Sequence, residues 1–447
     1  MRNQRALAAE EGATEAQYSV SDPGKEWRRG RGIPVVAGFD GYRALGVLFV
    51  VFSHILLVAG VLQRLSDSAP DTLTLGVIPR IPLTTLFIVS GFVIYLPTVA
   101  RDGDFGRVSS FGLRRLARIL PAYWAVLAVA LILLATVPND TGTPSVGLIA
   151  AHLGFLQAPA LLFENDYQNW LGFGVVPPVW TLSIEMVFYL VLPFVATWYY
   201  RRPFLGLALA AALVIAWRLL ATHADGAASL VGADFSAAAD LRINTYYASQ
   251  FPTWSLSIAA GMTAAWCYVK ARDRWSPEVV VKRAKQGALV ALAVLTGLVY
   301  LGGHEVATSP NSFNGEFAHQ SIVVTLGVPI ALAGLFLALV LLPPRWQRPI
   351  ANGPLRWTAD ISYGIYLIHF AVIWFALREF SLSHDGSLLT VVEWCAVVYP
   401  VSFAYAYVSA RFLERPVRRW AHRYGRRGQD AVKPAAATGQ ALGSTNR

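Results

Sequence analysis

The sequence predicts an all-α integral membrane protein of about ten transmembrane helices with both termini in the cytoplasm. Three observations carry that expectation. Hydrophobic residues make up 55% of the 447-residue chain and charged residues 14%, where a soluble protein carries about 25% charged. Apolar runs long enough to cross about 30 Å of hydrocarbon recur along the chain. Positive charge gathers in short clusters between alternate runs, as cytoplasmic loops do under the positive-inside rule.

Residues 1–35 are polar, charged and glycine-containing, and read as a disordered cytoplasmic arm rather than a cleavable leader. The first apolar run, 40–62, holds Arg43 and His54. Eleven positions at about 100° each return the second side chain to within roughly 20° of the first, about 16 Å farther along the axis. A fixed cation and a titratable imidazole therefore share one stripe at two depths, with Asp40 one turn before the arginine. A charged side chain at helix centre costs on the order of 2.5–3.5 kcal/mol, so such groups face the bundle interior and are functional by default. The plainer roles are an Arg43 that snorkels to the interface and a His54 that bonds a neighbouring helix.

The second run, 82–100, contains Phe87-Ile-Val-Ser-Gly-Phe92, whose small pair Ser90–Gly91 suits close helix approach. The third, 119–137, follows Arg114, Arg115 and Arg118. These are interface anchors or a clamp for the phosphates of a cytoplasmic donor, since the guanidinium fork matches phosphate oxygens. Residues 145–162 are apolar but broken by His152, Gln157 and Pro159. Counting them as a span would put the Arg201–Arg202 cluster outside, so they are expected to form a partly buried outer segment with a structural His152. In the next run, 180–199, Thr181, Glu185 and Tyr189 share one face at i, i+4 spacing. Glu185 is either satisfied by neighbouring helices or a partner for Arg43 or His54. Runs at 203–221, 250–269, 286–303 and 320–342 follow. The ninth, 360–378, bears a second polar stripe of Ser362, Tyr366 and His369, and 389–412 completes the count. The membrane domain is thus expected over 36–420, with a flexible basic and polar tail at 421–447.

Charge placement supports the count. With the N-terminus inside, the cytoplasmic segments take about 31 of the 37 Lys and Arg residues. Because the net charge of +10 is dispersed among loops in this way, no nucleic-acid partner is expected. Cys267 and Cys395 fall on different helices, which speaks against a disulfide framework or a metal site. On residues alone, a proton-coupled transporter or flippase using Arg43, His54 and Glu185 stands beside an enzyme, although no internal repeat is visible.

Six motifs in order narrow the choice. Phe39-Asp-Gly-Tyr-Arg43 with His54, Phe87-Ile-Val-Ser-Gly-Phe92, Arg115-Leu-Ala-Arg118-Ile-Leu-Pro-Ala-Tyr, Trp180-Thr-Leu-Ser-Ile-Glu185, Ser362-Tyr-Gly-Ile-Tyr-Leu-Ile-His369 and Phe412-Leu-Glu-Arg-Pro416 together resemble the bacterial acyltransferase-3 family. Its members are integral membrane O-acyltransferases that modify surface glycans, lipids and some secondary metabolites. The resemblance implies an acyl-CoA co-substrate, usually acetyl-CoA, with no permanently bound cofactor. It also implies an essential Arg–His pair on the first helix, here Arg43 and His54, and an Arg-x-x-Arg motif at Arg115 and Arg118. Met186 and Val187 stand where the family often has an acid and a Gln, and Thr181 replaces the usual Ser. No fused esterase-like domain is expected.

On that resemblance, catalysis falls to His54, Arg43 and Glu185, and CoA binding to Arg114, Arg115 and Arg118. His369, Tyr366, Trp180 and Ser183 are candidate substrate-binding residues. His54 serves as general base on the acceptor hydroxyl or as transient acyl carrier. The acceptor is a carbohydrate, a lipid-linked sugar or a glycosylated metabolite. The location implied is the inner (plasma) membrane, crossed several times.

Overall fold

The computed structural model describes residues 36, 38–61, 63–64, 80–139, 142–160, 172–223, 249–307 and 321–421. The expected arm (1–35), and the expected tail beyond Ala421, lie outside the described residues. Among those described, the regular structure is entirely helical. Apart from single turns of three or four residues, its elements are α1 (Phe39–Val58), α2 (Arg80–Ala100), α3 (Val108–Thr136), α4 (Val146–Leu153), α5 (Trp180–Arg201), α6 (Pro203–Thr222), α7 (Phe251–Arg274), α8 (Pro277–Ala307), α9 (Ile322–Leu341), α10 (Gly353–Glu379) and α11 (Leu388–Ser409). Past α11 the chain makes a π-helical turn, Ala410–Glu414, and stays helical to Ala421.

Nine of these helices among the described residues are long and apolar enough to cross a membrane. The tenth expected span is α7, which has the length, 24 residues, but not the apolarity. Its position explains the shortfall. Ser255, Ser257 and Thr263 of α7 are buried, and most of the helix is wrapped by protein. A helix shielded from lipid need not be apolar all round. The expected outer segment around His152 is no span: α4 has eight residues, about 12 Å of rise.

The α2–α7 contact is backbone to backbone. A Cβ on Gly91 would collide with the Ile258 carbonyl, and one on Gly261 with the Ile88 carbonyl. Small residues permit such approach where lipid supplies no hydrophobic drive. Ser90–Gly91 therefore does what its sequence suggested.

Helix α10 is the most enclosed span, with Ile361, Ser362, Ile365, Leu367, His369 and Ile373 all buried. The Asn352 side chain caps its start by accepting from Leu355 N at 2.9 Å. α1 and α10 run parallel and in register, so Arg43 lies level with Ala359 and His54 with His369.

The basic clusters collect at one end of the bundle. Thr197 donates to Gly103 O (3.0 Å), Tyr200 to Asp102 (3.0 Å) and Lys270 to Tyr200 OH (2.9 Å), joining the α2–α3 turn to the last turns of α5 and α7. Gly38 N, just before α1, donates to Gln347 ahead of α10 (2.7 Å). At the far end, Gly386 N donates to Ala59 O (2.8 Å), fastening the α10–α11 connection over α1.

Candidate active site

Two constellations lie along α1, one at each of its unusual residues. At the charged end, Arg43 Nη2 donates to Ala359 O at 2.6 Å and stands 3.7 Å from Asp40 Oδ1. Its Nε is buried and has no partner among the described residues. The charges it feels come from Arg118 on α3, Asp360 on α10 and Arg418 past the π turn. Arg118 and Arg418 also act on each other and on Glu414. Glu414 is 2% exposed, and its Oε1 has no hydrogen-bond partner among the described residues. The π turn inserts one extra residue per turn, which turns this carboxylate inward; such bulges recur at functional sites.

The three arginines expected to clamp one anion part company. Arg118 joins Arg43 and Arg418. Arg115 is held between the Phe111 and Tyr189 rings, its guanidinium carbon 5.6 Å from each centroid, on the side that faces Glu185. Arg114 is exposed. Arg114 and Arg115 are adjacent in sequence and project about 100° apart around the helix, so the two cannot enter one cluster together.

Glu185 is the partner of neither Arg43 nor His54. It accepts from Ser90 Oγ at 3.2 Å and Tyr189 OH at 3.1 Å, so it ties α5 to the Ser90–Gly91 step of α2. Ser183 is buried, with its hydroxyl unpartnered among the described residues. Trp180 is half-buried and tilted against Trp254, ring centroids 5.8 Å apart.

The second constellation centres on His54. Its Nδ1 lies 3.0 Å from His369 Nε2, and His369 Nδ1 lies 2.7 Å from the Tyr366 carbonyl. His369 is fully buried, whereas His54 retains some exposure. Phe370 packs edge-on against the His54 ring at 5.4 Å. The Tyr366 hydroxyl is engaged elsewhere: it donates to Pro178 O at 3.0 Å and lies 2.8 Å from Thr181 Oγ1. It thereby holds the start of α5 against α10. His152 proves structural, as expected. Its Nδ1 donates to Leu148 O (2.8 Å), its Nε2 accepts from Gly172 N (3.0 Å), and its carbonyl accepts from Tyr123 OH (2.7 Å).

A half-buried cation cluster around Arg43 and a half-open imidazole at His54, about 16 Å farther along the same helix, suit a reaction between a long anionic donor and a neutral nucleophile. A family model described as an acyltransferase domain matches residues 36–409. The chain belongs to the acyltransferase-3 family. It is similar to the peptidoglycan O-acetyltransferase OatA of Listeria monocytogenes, 24% identical over 86% of this chain and 56% of that protein. A putative O-acetyltransferase of Staphylococcus aureus strain COL is also 24% identical, over 86% of this chain and 57% of that one. A putative peptidoglycan O-acetyltransferase of Bacillus subtilis, YrhL, is 22% identical over 86% and 55%. The chain spans about half the length of these relatives. No solved structure matches it.

In this acyltransferase-3 chain, sequence reasoning missed Asp360, Glu414 and Arg418. Arg418 sits in a basic run that reads as ordinary interface charge, and Glu414 in a motif with no chemistry attached. A carboxylate in an otherwise apolar and basic stretch was the available signal.

Proposed function

We propose that this protein is a membrane O-acyltransferase that moves an acyl group, acetyl by preference, from cytoplasmic acyl-CoA to a sugar hydroxyl. The acceptor class is a glycan, a lipid-linked sugar or a glycosylated metabolite. The reading places the protein in the inner (plasma) membrane with both termini cytoplasmic. The observation that carries it is the placement of Arg43, with Arg118 and Arg418 about it, and of His54 at two depths of one helix.

The CoA phosphates bind at the cluster, where the unpartnered Arg43 Nε and the forked guanidinia of Arg118 and Arg418 supply donors. Arginine suits this task because its planar fork meets two phosphate oxygens at once. The pantetheine arm runs along α1 toward His54, a distance of about 16 Å. There the acceptor hydroxyl attacks the thioester carbonyl while His54 takes its proton. The C–O bond forms, the C–S bond breaks, and the proton passes to the departing thiolate, giving CoA. General-base assistance of this kind is worth roughly 10²–10⁴-fold.

Glu185 holds Ser90, Tyr189 and, through charge, Arg115; its part is to fix the α2–α5 wall beside the arm. The relatives' names direct attention to peptidoglycan as a first acceptor. Family membership supports acyl transfer over a proton-coupled transporter or flippase.

The test is CoA release by the purified protein in detergent or nanodiscs, supplied with acetyl-CoA and peptidoglycan fragments, a lipid-linked sugar or simple glycosides. Acceptor-dependent release with a matching acetyl increment in the product is the expected result. Uptake of a solute into vesicles with no release under any acceptor would overturn the proposal in favour of transport. An acetyl group trapped on His54 in the absence of acceptor would replace the general base by an acyl carrier.

A further inference from the structure

We infer that His369 is a positioning residue that fixes the tautomer of His54, so that the reacting nitrogen of His54 is Nε2. The inference deepens the role proposed for His54 and rests on that reading only for its consequence in catalysis.

A carbonyl oxygen can only accept a hydrogen bond, so His369 Nδ1, 2.7 Å from Tyr366 O, carries a proton. A neutral imidazole has one N–H. His369 Nε2 is then a bare acceptor, and His54 Nδ1, 3.0 Å away, must be the donor. The proton of His54 is thus on Nδ1, which leaves its Nε2 with a free lone pair. No described residue bonds that nitrogen, and His54 is the less buried member of the pair.

Ring geometry agrees. The two planes are 25° apart with centroids at 5.1 Å, which exceeds the N···N distance by roughly a ring's width. The imidazoles therefore meet edge to edge, nearly coplanar, as a hydrogen bond between ring nitrogens requires, and not face over face. Phe370, edge-on to His54, hinders its rotation. Flipping either ring would oppose a C–H to a nitrogen and forfeit the bond.

The arrangement follows from the parallel register of α1 and α10. Backbone carbonyl, buried histidine and half-buried histidine form one chain of orientation, in which a side chain's free nitrogen is set by what its other nitrogen bonds. Proton abstraction by His54 Nε2, and acyl transfer to it were His54 a carrier, both need the lone pair on that atom. In the other tautomer Nε2 carries hydrogen and neither step begins.

The test is ¹⁵N solid-state NMR on the full chain in lipid, with histidine ring nitrogens labelled and the His54 signals assigned by their loss in His54→Asn. The expected wild-type spectrum shows His54 protonated at Nδ1. In His369→Leu the population shifts toward Nε2–H, and acetyl-CoA turnover falls by 10-fold or more through kcat with little change in KM. In His369→Gln, whose side-chain carbonyl accepts from Nδ1–H, the tautomer and most of the turnover return. His54 protonated at Nε2 in the wild type would overturn the inference with no variant needed. A wild-type tautomer unmoved by His369→Leu in a folded protein would overturn it too. The tautomer is read without catalysis, so it stands or falls separately from the proposed reaction.

Discussion

Gly91 of α2 and Gly261 of α7 each lie against a backbone carbonyl of the other helix, Ile258 and Ile88 respectively. The two helices touch main chain to main chain, and the polar α7 is drawn into the bundle as a result. Gly261→Leu forces a side chain into that carbonyl. Overpacking in a filled interior costs about 1–3 kcal/mol or more. The variant is expected to lose its monodisperse peak in detergent size exclusion and to unfold at lower temperature. Gly112→Ala, where a Cβ meets nothing within 4 Å, is expected to behave as wild type.

His54→Ala is expected to lower acyl transfer by about 10²–10⁴-fold, the usual worth of a general base. Expression and thermal stability should stay near wild type, because His54 is half-buried and bonds one neighbour. Residual transfer above a tenth of the wild-type rate would remove His54 from the reaction.

Arg43→Lys keeps the charge but not the fork. A point-charge ammonium cannot serve the Ala359 carbonyl, Asp40 and an incoming phosphate together. A hydrogen bond to a charged group is worth about 1.5–3 kcal/mol, so KM for acetyl-CoA should rise roughly 10–100-fold. Steady-state titration of acetyl-CoA measures it.

Arg114 and Arg118, one turn apart on α3, should separate in function. Arg118→Ala and Arg418→Ala are each expected to weaken acetyl-CoA binding, and to do so non-additively because both act on one cluster. Arg114→Ala, at an exposed position, should change stability and binding by no more than about 0.5 kcal/mol. Equal effects at Arg114 and Arg418 would contradict the assignment of the cluster.

Asp385 lies in the connection before α11. The Thr390 hydroxyl (2.6 Å), and then Ser387 N (2.8 Å), hold its carboxyl below the ordinary 3.8, at about 2. A depressed folded value means the carboxylate stabilises the start of α11 at every pH above about 3.8. That support is lost as pH falls from there through 2. Amide exchange at Ser387 and Thr390 should therefore be slow and flat from pH 7 to 4, once corrected for intrinsic rate. In Asp385→Asn it should be faster across that range.

Much of the fold is legible in the order of apolar runs along the chain. Each expected span found a helix, although α3, α8 and α10 begin 7 to 11 residues ahead of their apolar runs; twenty apolar positions in lipid have no other way to satisfy their backbone. α7 reads as one more span of the same kind. Its serines and threonine hint otherwise, but which helix is sheltered from lipid depends on which neighbours surround it. Arg43 and His54 stand out for a similar reason, since burying such groups without use is costly. Glu185 stands out equally, yet its partners turn out to be Ser90 and Tyr189.

By itself, then, the sequence determined the helical class, the number and order of long helices, the two unusual residues of α1 and the family. Hydropathy and local spacing act over a few turns, and a linear string records them fully. The tertiary structure alone decided that His54 meets His369, 315 positions away, and that Arg43 meets Ala359. It alone drew Arg118 and Arg418 together and left Arg114 outside. Those pairings depend on the parallel register of α1 with α10 and on the inward twist of the π turn. Both are set by how whole helix surfaces interlock, and no stretch of sequence around any one residue encodes that.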